Sequence, residues 1–106
     1  MCLFCQIAQH QQVANLVYEN DQLVVFKDIH PKTKVHLLIV PKEHINSAKE
    51  LEENHKDILI QMFLTAKKMA EENGLSGYKL LFNVGREGGQ LIDHLHLHLM
   101  GGGEQK

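Results

Sequence analysis

The 106-residue chain has no tryptophan, two prolines and only two cysteines, Cys2 and Cys5. Two cysteines are too few for the disulfide framework of a small secreted domain. Acidic and basic residues nearly balance at a net charge of −2, so no basic surface for a long nucleic acid or an anionic membrane is expected. The longest aliphatic run, Leu37–Val40, is too short to span a membrane, and no signal region follows Met1. These absences predict a soluble cytoplasmic protein with one domain over residues 1–106.

The pattern of apolar residues predicts an α+β fold. Hydrophobic and β-branched segments predict five strands, at residues 15–19, 22–26, 35–40, 78–83 and 94–100. Ser47 and Glu50 fit a capping box, and the helix after them is expected to break near Asn54 and to end at Asn73-Gly74. Its apolar stripe consists of Leu51, Ile58, Leu59, Met62, Phe63, Ala66, Met69 and Ala70. This order of elements predicts an antiparallel sheet with a helix on one face.

Histidine is the unusual component of the sequence, with eight residues. His94, His96 and His98 alternate with leucines, so in a strand the three imidazoles share one face and the leucines face the helix. Alternate residues repeat at about 6.6 Å along a strand, so only neighbouring pairs of these imidazoles are close enough to share a metal ion. Crowded imidazoles that gain charge near pH 6.5 favour an anionic ligand, and phosphate is the obvious candidate.

The glycine-rich segment before the histidines strengthens the phosphate hypothesis. Residues 85–90 read GREGGQ, so backbone N–H groups can approach an anion without hindrance from a Cβ atom, and Gln90 can donate to an oxygen. His96 is flanked on both sides by another imidazole and is best placed to attack phosphorus, forming a phosphohistidine that water then hydrolyses. A competing hypothesis is a metal-dependent hydrolase or hydratase that uses His94 and His96 as ligands, although no acidic cluster accompanies them.

The C-x-x-C pair, Cys2 and Cys5, leaves three interpretations open. It is half of a metal site, two inert thiols or a redox pair. The redox interpretation ranks last, because almost no chain precedes the pair, whereas a thioredoxin-like motif follows a strand within a βαβ unit.

From Cys2 to Gly102 the chain resembles the histidine triad (HIT) superfamily, and its Hint-like branch in particular. His94–Met100 matches the His-φ-His-φ-His-φ-φ pattern, where φ is hydrophobic. Further matches in order and spacing are Phe26–Ile29, His36–Ile45, Asn83 and Gly88–Gln90. The resemblance implies a five-stranded antiparallel sheet with a main helix, and a homodimer whose sheets join into one of ten strands.

The resemblance also implies a function. It implies hydrolysis of purine nucleoside phosphoramidates or related adenylates at the α-phosphate, through a nucleotidyl-histidine, with release of a nucleoside monophosphate. A low-activity nucleotide-binding or interaction protein and a dinucleoside polyphosphate hydrolase remain alternatives.

Site residues follow from the same resemblance. His96 is implied as the nucleophile, His98 as a phosphate ligand and His36 as a hydrogen-bonding support for His96. The implied nucleotide-binding residues are Phe4, Ile7, Phe26, Asp28, Ile29, Asn83, Gly89, Gln90 and His98; Asp28 accepts the ribose hydroxyls, and the apolar members line the base pocket. Relatives with an N-terminal C-x-x-C imply a structural zinc ion held by Cys2, Cys5, His44 and His94, with no metal needed for catalysis.

Three departures from the family pattern bear on activity. Leu91 stands where many phosphoramidases have a serine that helps the leaving amine, so departure of a poor leaving group is expected to be slow. Asp93 occupies a commonly aromatic position, either as a support for His94 or facing solvent. The tail ends at Lys106, shorter than in phosphoramidase relatives, which predicts a more open pocket.

Overall fold

The computed structural model describes residues 2–104, in which five strands form one antiparallel sheet. Its order is β1-β2-β3-β5-β4. The elements are α1 (Leu3–Ala8), β1 (Leu16–Glu19), β2 (Leu23–Lys27), β3 (Thr33–Pro41), α2 (Lys56–Glu72), β4 (Tyr78–Leu81) and β5 (Leu97–Glu104). The predicted α+β fold, with a five-stranded antiparallel sheet and one main helix, is confirmed. Met1, Gln105 and Lys106 lie outside the described residues. Within the described range, neither helix has the length and apolar character to cross a membrane.

The leucine face of β5 packs on α2, as the alternation predicts. Leu95, Leu97 and Leu99 are at most 2% exposed and share a core with Met62 and other residues of α2. Phe63 is a correction to the predicted stripe, because it is 41% exposed and turns its ring edge toward Phe82. The buried face of α2 consists of Met62, Thr65, Ala66, Met69 and Ala70.

A second, unpredicted helix covers the opposite face of the sheet. Phe4, Ile7 and Ala8 of α1 are buried in a cluster with β2 and β3 that includes Phe26 and Leu38. The predicted helix on one face is therefore joined by a second helix on the other. The i, i+3, i+4 spacing of the three apolar residues was the available signal, but six residues are too few for helical periodicity to stand out.

The histidine strand begins later than its sequence pattern predicts. β5 starts at Leu97 because Leu95 N donates to Ile45 O at 2.6 Å, which ties this part of the chain to the segment after β3. At its other end β5 runs on through Gly101–Gly103. A Cβ atom on Gly101 would lie 2.7 Å from Leu75 Cδ1, so any larger residue there requires the Leu75 side chain to shift.

The predicted capping box at Ser47 does not start the main helix. Ser47 Oγ accepts a hydrogen bond from Lys49 N, but residues Ala48–Glu50 form only a 3₁₀ turn, and Glu50 instead accepts from Asn46. A second 3₁₀ turn, Glu53–His55, follows, and α2 begins at Lys56. The expected break near Asn54 therefore lies before the helix, where Glu52 and His55 form the capping box of the second 3₁₀ turn.

Candidate active site and metal centre

The imidazoles of His36, His96 and His98 form a contiguous group on the face of the sheet that α1 covers. The ring centroids of His96 and His98 are 5.0 Å apart, and those of His36 and His98 are 5.2 Å apart. β3 and β5 pair antiparallel, which brings His36 opposite Met100 and therefore beside His98. Sheet pairing thus assembles the group from segments that are distant in sequence.

One hydrogen bond fixes the tautomer of His96. Its Nδ1 lies 2.7 Å from the main-chain oxygen of His94. Because a carbonyl oxygen only accepts, Nδ1 carries the proton and Nε2 keeps its lone pair. Phe4 stands edge-on to the ring, with centroids 5.0 Å apart, and holds His96 in a largely dry setting. His96 therefore presents an oriented, unprotonated Nε2.

A second hydrogen-bond chain fixes the tautomer of His36 and links it to His98. The main-chain N–H of Lys32 donates to His36 Nδ1 at 3.1 Å, so the proton of a neutral His36 is on Nε2. That Nε2 lies 2.9 Å from His98 Nδ1 and 3.3 Å from Asp28 Oδ2. When His36 donates to His98 Nδ1, the proton of a neutral His98 is on Nε2. The amide nitrogen of Asn83 lies 3.4 Å from that Nε2 and donates to it only in the opposite tautomer. His36 thus supports His98, not His96 as the resemblance implied.

Burial keeps these imidazoles uncharged near neutral pH. It lowers the pKa of His98 to about 4, and the neighbouring His96 and His36 lower it further. Burial also lowers the pKa of His96, against the opposing effect of its bond to the His94 carbonyl. The pKa of His36 is lowered by burial as well, while the Asp28 carboxylate acts in the opposite direction. A neutral His96 is the form that can act as a nucleophile.

The hydrogen bonds also weigh against a catalytic metal ion in this group. Asp28, His36 and His98 bring one ligand atom each within 4.8 Å of the others. A metal-bound His36 Nε2 would require the proton on Nδ1, where the Lys32 N–H already points. His94 and His96 do not form a metal pair either, because His94 turns its Nδ1 toward the cysteines.

The glycine-rich loop lies beside Asn83 and is held from within by Gln90. Gly89 has φ of 90°, in the left-handed region that favours glycine, and a Cβ atom there would lie 3.8 Å from the Asn83 side chain. Gln90 is 2% exposed; its amide group donates to Asn46 O and Ile92 O and accepts from Gly85 N. Both amide hydrogens are therefore used, so the side chain supports the loop and has no donor left for a phosphate.

The same loop is closed on its outer side by an ion pair. Arg86 donates to both carboxylate oxygens of Asp93 at 2.8 and 3.0 Å, and to Gln90 O at 2.8 Å. The sequence left open whether Asp93 supports His94 or faces solvent. In the structure it is an exposed partner of Arg86 and makes no hydrogen bond to the ring of His94.

We expect Asp93→Asn to loosen the loop without unfolding the protein. An exposed pair is worth about 0.5 kcal/mol, so the melting temperature should change little, while amide hydrogen exchange at Gly88 and Gly89 should accelerate several-fold. NMR-detected exchange measures this, and Glu87→Gln, an exposed acid of the same turn, is the matched control. Equal exchange rates in both variants would show that Arg86 does not hold the loop.

Cys2, Cys5, His44 and His94 converge in a second cluster, at the start of α1. Their ligand atoms all lie within 4.8 Å of one another. Cys5 Sγ is 2.9 Å from His44 Nδ1, Cys2 Sγ is 3.2 Å from His94 Nδ1, and the two sulfurs are 3.1 Å apart. The structure thus brings together all four residues that the resemblance implies as zinc ligands.

Hydrogen bonds on the far side of each ring prepare both histidines of this cluster for a metal ion. His94 Nε2 donates to Pro41 O at 2.7 Å, and His44 Nε2 donates to Asn46 Oδ1 at 2.6 Å. Each Nδ1 therefore has a free lone pair directed at the sulfurs. Burial lowers the pKa of His94 to about 4, which keeps the ring neutral. Two thiols and two oriented imidazoles are a donor set that fits a closed, tetrahedral zinc site.

The residues expected around the nucleotide base differ in exposure. Phe4, Ile7 and Phe26 are at most 5% exposed, and the rings of Phe4 and Phe26 meet edge-on at 5.3 Å. Ile29 is 81% exposed, in the loop between β2 and β3.

A cavity of 460 Å³ contains none of these four residues in its lining. It is lined by Glu43, His44, Ile45, Lys49, Glu50, Leu51, Glu52 and His55. His55 is buried and belongs to the capping box of the 3₁₀ turn before α2.

An α+β sheet carrying a row of imidazoles beside a glycine-rich loop defines a protein of the histidine triad type. The family model described as "Scavenger mRNA decapping enzyme C-term binding" matches residues 1–105. Protein HitA of Neisseria gonorrhoeae is 43% identical over 101 residues, which cover 94% of each chain. A purine nucleoside phosphoramidase of Escherichia coli K12 is 35% identical over 102 residues, covering 94% of this chain and 86% of that protein. The chain belongs to the histidine triad family.

Solved structures agree with this assignment. A HIT family hydrolase from Legionella pneumophila superposes with a TM-score of 0.96 at 42% identity, covering 100% of this chain and 96% of that one. A zinc-bound histidine triad protein from Mycobacterium smegmatis superposes with a TM-score of 0.82 at 25% identity, covering 94% and 73% of the two chains. These relatives support a nucleotide-binding hydrolase of the histidine triad type.

Proposed function

We propose that the protein hydrolyses purine nucleoside phosphoramidates or related adenylates at the α-phosphate, through a nucleotidyl-histidine intermediate. The observation that carries the proposal is the fixed tautomer of His96, which offers a lone pair at Nε2. His98 beside it offers an N–H when its Nδ1 accepts from His36. The E. coli relative named as a purine nucleoside phosphoramidase supports the substrate class.

The chemistry divides into two displacements at phosphorus. His96 Nε2 attacks the α-phosphorus, a new P–N bond forms, and the bond to the leaving amine or acid breaks. Water then attacks the same phosphorus, the bond to Nε2 breaks, and a nucleoside monophosphate is released. His98 Nε2–H donates to the non-bridging oxygens in both steps. Asp28 is proposed as the acceptor for the ribose hydroxyls, with Phe4, Ile7, Phe26 and Ile29 around the base.

Leu91 gives no proton to a departing amine. Its side chain is 81% exposed and apolar, in the loop that holds Gln90. Substrates whose leaving group departs without added acid catalysis, such as adenylates and aromatic amines, are therefore proposed as the better ones.

The proposal is tested with an adenosine phosphoramidate that carries a fluorogenic aromatic amine. Turnover that survives a chelator present only during the assay and disappears in His96→Ala supports it. Turnover lost at once on chelation while the fold persists would instead indicate a metal-dependent hydrolase. Nucleotide binding without turnover would indicate a binding module, and turnover of a dinucleoside polyphosphate alone would indicate that class of hydrolase.

The lowered pKa values predict the acid side of the pH profile. His96 must be neutral to attack, and burial lowers its pKa below the ordinary 6.5. As the pH falls through 6.5, a free histidine would become protonated but His96 remains largely neutral. We therefore expect kcat/KM to hold through pH 6.5 and to decline only at lower pH, measured in a series of buffers at constant ionic strength. A midpoint above 6.5 would contradict a desolvated nucleophile.

We also propose a structural zinc ion at Cys2, Cys5, His44 and His94. The convergent ligand atoms, the oriented imidazoles and the zinc-bound relative from M. smegmatis support it. A zinc ion there would join the start of α1 to the histidine strand and has no part in the chemistry at phosphorus.

We propose a homodimer that forms through β4, because exposed apolar residues lie on and near this strand at one edge of the sheet. β4 is an edge strand with Tyr78 and Leu81 partly exposed. Ile60, Phe63 and Leu64 are exposed on α2, and Phe63 meets Phe82, just beyond β4. Pairing of two β4 strands about a two-fold axis would give a ten-stranded sheet and cover both edges.

Leu64→Glu tests the dimer. Leu64 is 55% exposed, so the charge should leave the fold intact but disfavour a self-complementary apolar interface. We expect light scattering to give twice the 12.1 kDa chain mass for the native protein and a single chain mass for the variant. Lys67→Glu, an exposed position of the same helix, is the control, and identical masses for the two variants would refute this surface.

A further inference from the structure

The metal cluster contains a pair of thiols that are close enough to react with each other. Cys2 Sγ and Cys5 Sγ are 3.1 Å apart. Cys2 is only partly buried and Cys5 is 9% exposed, so Cys2 is the more accessible of the two to a small oxidant in solvent. The sequence pattern alone ranked a redox role last. The geometry now offers an accessible sulfur and a second sulfur behind it.

The same cluster is joined to the nucleophile by two short connections. The main-chain oxygen of His94 accepts the Nδ1 proton of His96 at 2.7 Å and so sets its tautomer. Phe4, between Cys2 and Cys5 in sequence, stands edge-on to His96 at 5.0 Å. Any change that frees His94 or the start of α1 therefore acts directly on the two groups that hold His96.

We propose that Cys2 and Cys5 are an oxidative modification site, at which hydrogen peroxide or another small peroxide forms a disulfide, releases the metal ion and lowers turnover. This inference rests on the proposed zinc site, and its activity arm rests on the proposed function. Cys2 Sγ attacks one peroxide oxygen and the O–O bond breaks, giving a sulfenic acid and hydroxide. Cys5 Sγ then attacks the sulfenic sulfur, and water leaves. In sum, two metal-bound thiolates, one peroxide and two protons from solvent give one disulfide, two waters and the free metal ion.

Loss of the two sulfur ligands removes the anchor of α1. A disulfide is a poor metal ligand, so only the two imidazoles of His44 and His94 would remain, too few for a closed zinc site. α1 has six residues, a length at which a helix depends on its contacts. Without the anchor, Phe4 and the His94 carbonyl hold His96 less firmly, and loss of orientation lowers the rate of attack.

The test treats the zinc-loaded full chain with increasing hydrogen peroxide and follows three signals. A chromogenic chelator reports free zinc, intact mass spectrometry reports the loss of two hydrogens, and the fluorogenic adenosine phosphoramidate reports turnover. We expect zinc release and disulfide formation to coincide, with turnover reduced about tenfold. Dithiothreitol followed by zinc should restore all three signals.

Cys2→His is the matched variant, because it keeps four ligands but removes the dithiol. Under the same peroxide we expect it to retain both its zinc and its own untreated turnover; Cys5→His provides a second arrangement of the same kind. Zinc that stays bound to the wild type while both thiols remain reduced would overturn the proposal. So would disulfide formation with unchanged turnover, or an equal loss of turnover in the variants. A reduced chain without any turnover would refute the proposed function, while zinc release and disulfide formation would still test the modification site.

Discussion

Replacing His96 with alanine is expected to lower turnover of an adenosine phosphoramidate by about a thousandfold or more. The reason is that the nucleophile is lost together with the only route to a covalent intermediate. His98 is adjacent, but when its Nδ1 accepts the hydrogen bond from His36 Nε2 at 2.9 Å, its own Nε2 carries the proton. No second imidazole of the group therefore has a free lone pair to take over the attack.

The measurement has a kinetic part and a chemical part. Steady-state turnover of His96→Ala is compared with that of the wild type and of His30→Ala, which removes an exposed histidine outside both clusters. Acid quenching during wild-type turnover, followed by mass spectrometry, should reveal a nucleotidyl group on His96. Residual turnover within tenfold of the wild type, or an adduct on another residue, would refute the assignment of the nucleophile.

Removal of the metal ion is the change with the largest expected effect on stability. A ligand that binds only the folded state at a thousand times its Kd adds about 4 kcal/mol to the free energy of unfolding. For a chain of this length that corresponds to roughly 15 °C in Tm. We expect His44→Ala to lose bound zinc and to melt at the temperature of the chelated wild type. His44 is exposed, so its truncation opens no cavity in the core.

Two controls keep this result interpretable. His30→Ala should bind one zinc per chain and melt with the wild type. Added chelator should lower the Tm of the wild type but not that of His44→Ala. If purified protein lacks zinc and added zinc leaves the Tm unchanged, the four residues do not form a metal site.

Much of the fold could be predicted from the sequence because its patterns are locally consistent. The leucines that alternate with the histidine row match the buried face of α2, and this fixes which side of the sheet each element occupies. The beginning of β5 could not be read in the same way. Alternation continues through His94 and His96, but the partner of Leu95 is Ile45, in a segment 50 residues away that strand pattern does not reveal.

The candidate site shows a similar division. The residue types and their spacing pointed to His96 and, through the resemblance, to the cysteine–histidine cluster. The partners within the site depend on tertiary contacts. The main-chain N–H of Lys32 decides the tautomer of His36, and the donors of Gln90 are consumed by two main-chain oxygens. A main-chain group leaves no trace in the identity of a side chain, so the sequence does not show that His36 lies beside His98 or that the donors of Gln90 are used within the protein.

Asn46 occupies a position between the two centres that has a practical consequence. Its side-chain oxygen accepts a hydrogen bond from His44, and its main-chain oxygen accepts one from the Gln90 amide group. Anyone who transplants the 85–90 loop into another scaffold, or randomises it to alter substrate choice, must carry residues 44–46 along as one unit. Libraries built on the loop alone would return many variants whose failure originates in a segment beside the cysteine–histidine cluster that was never varied.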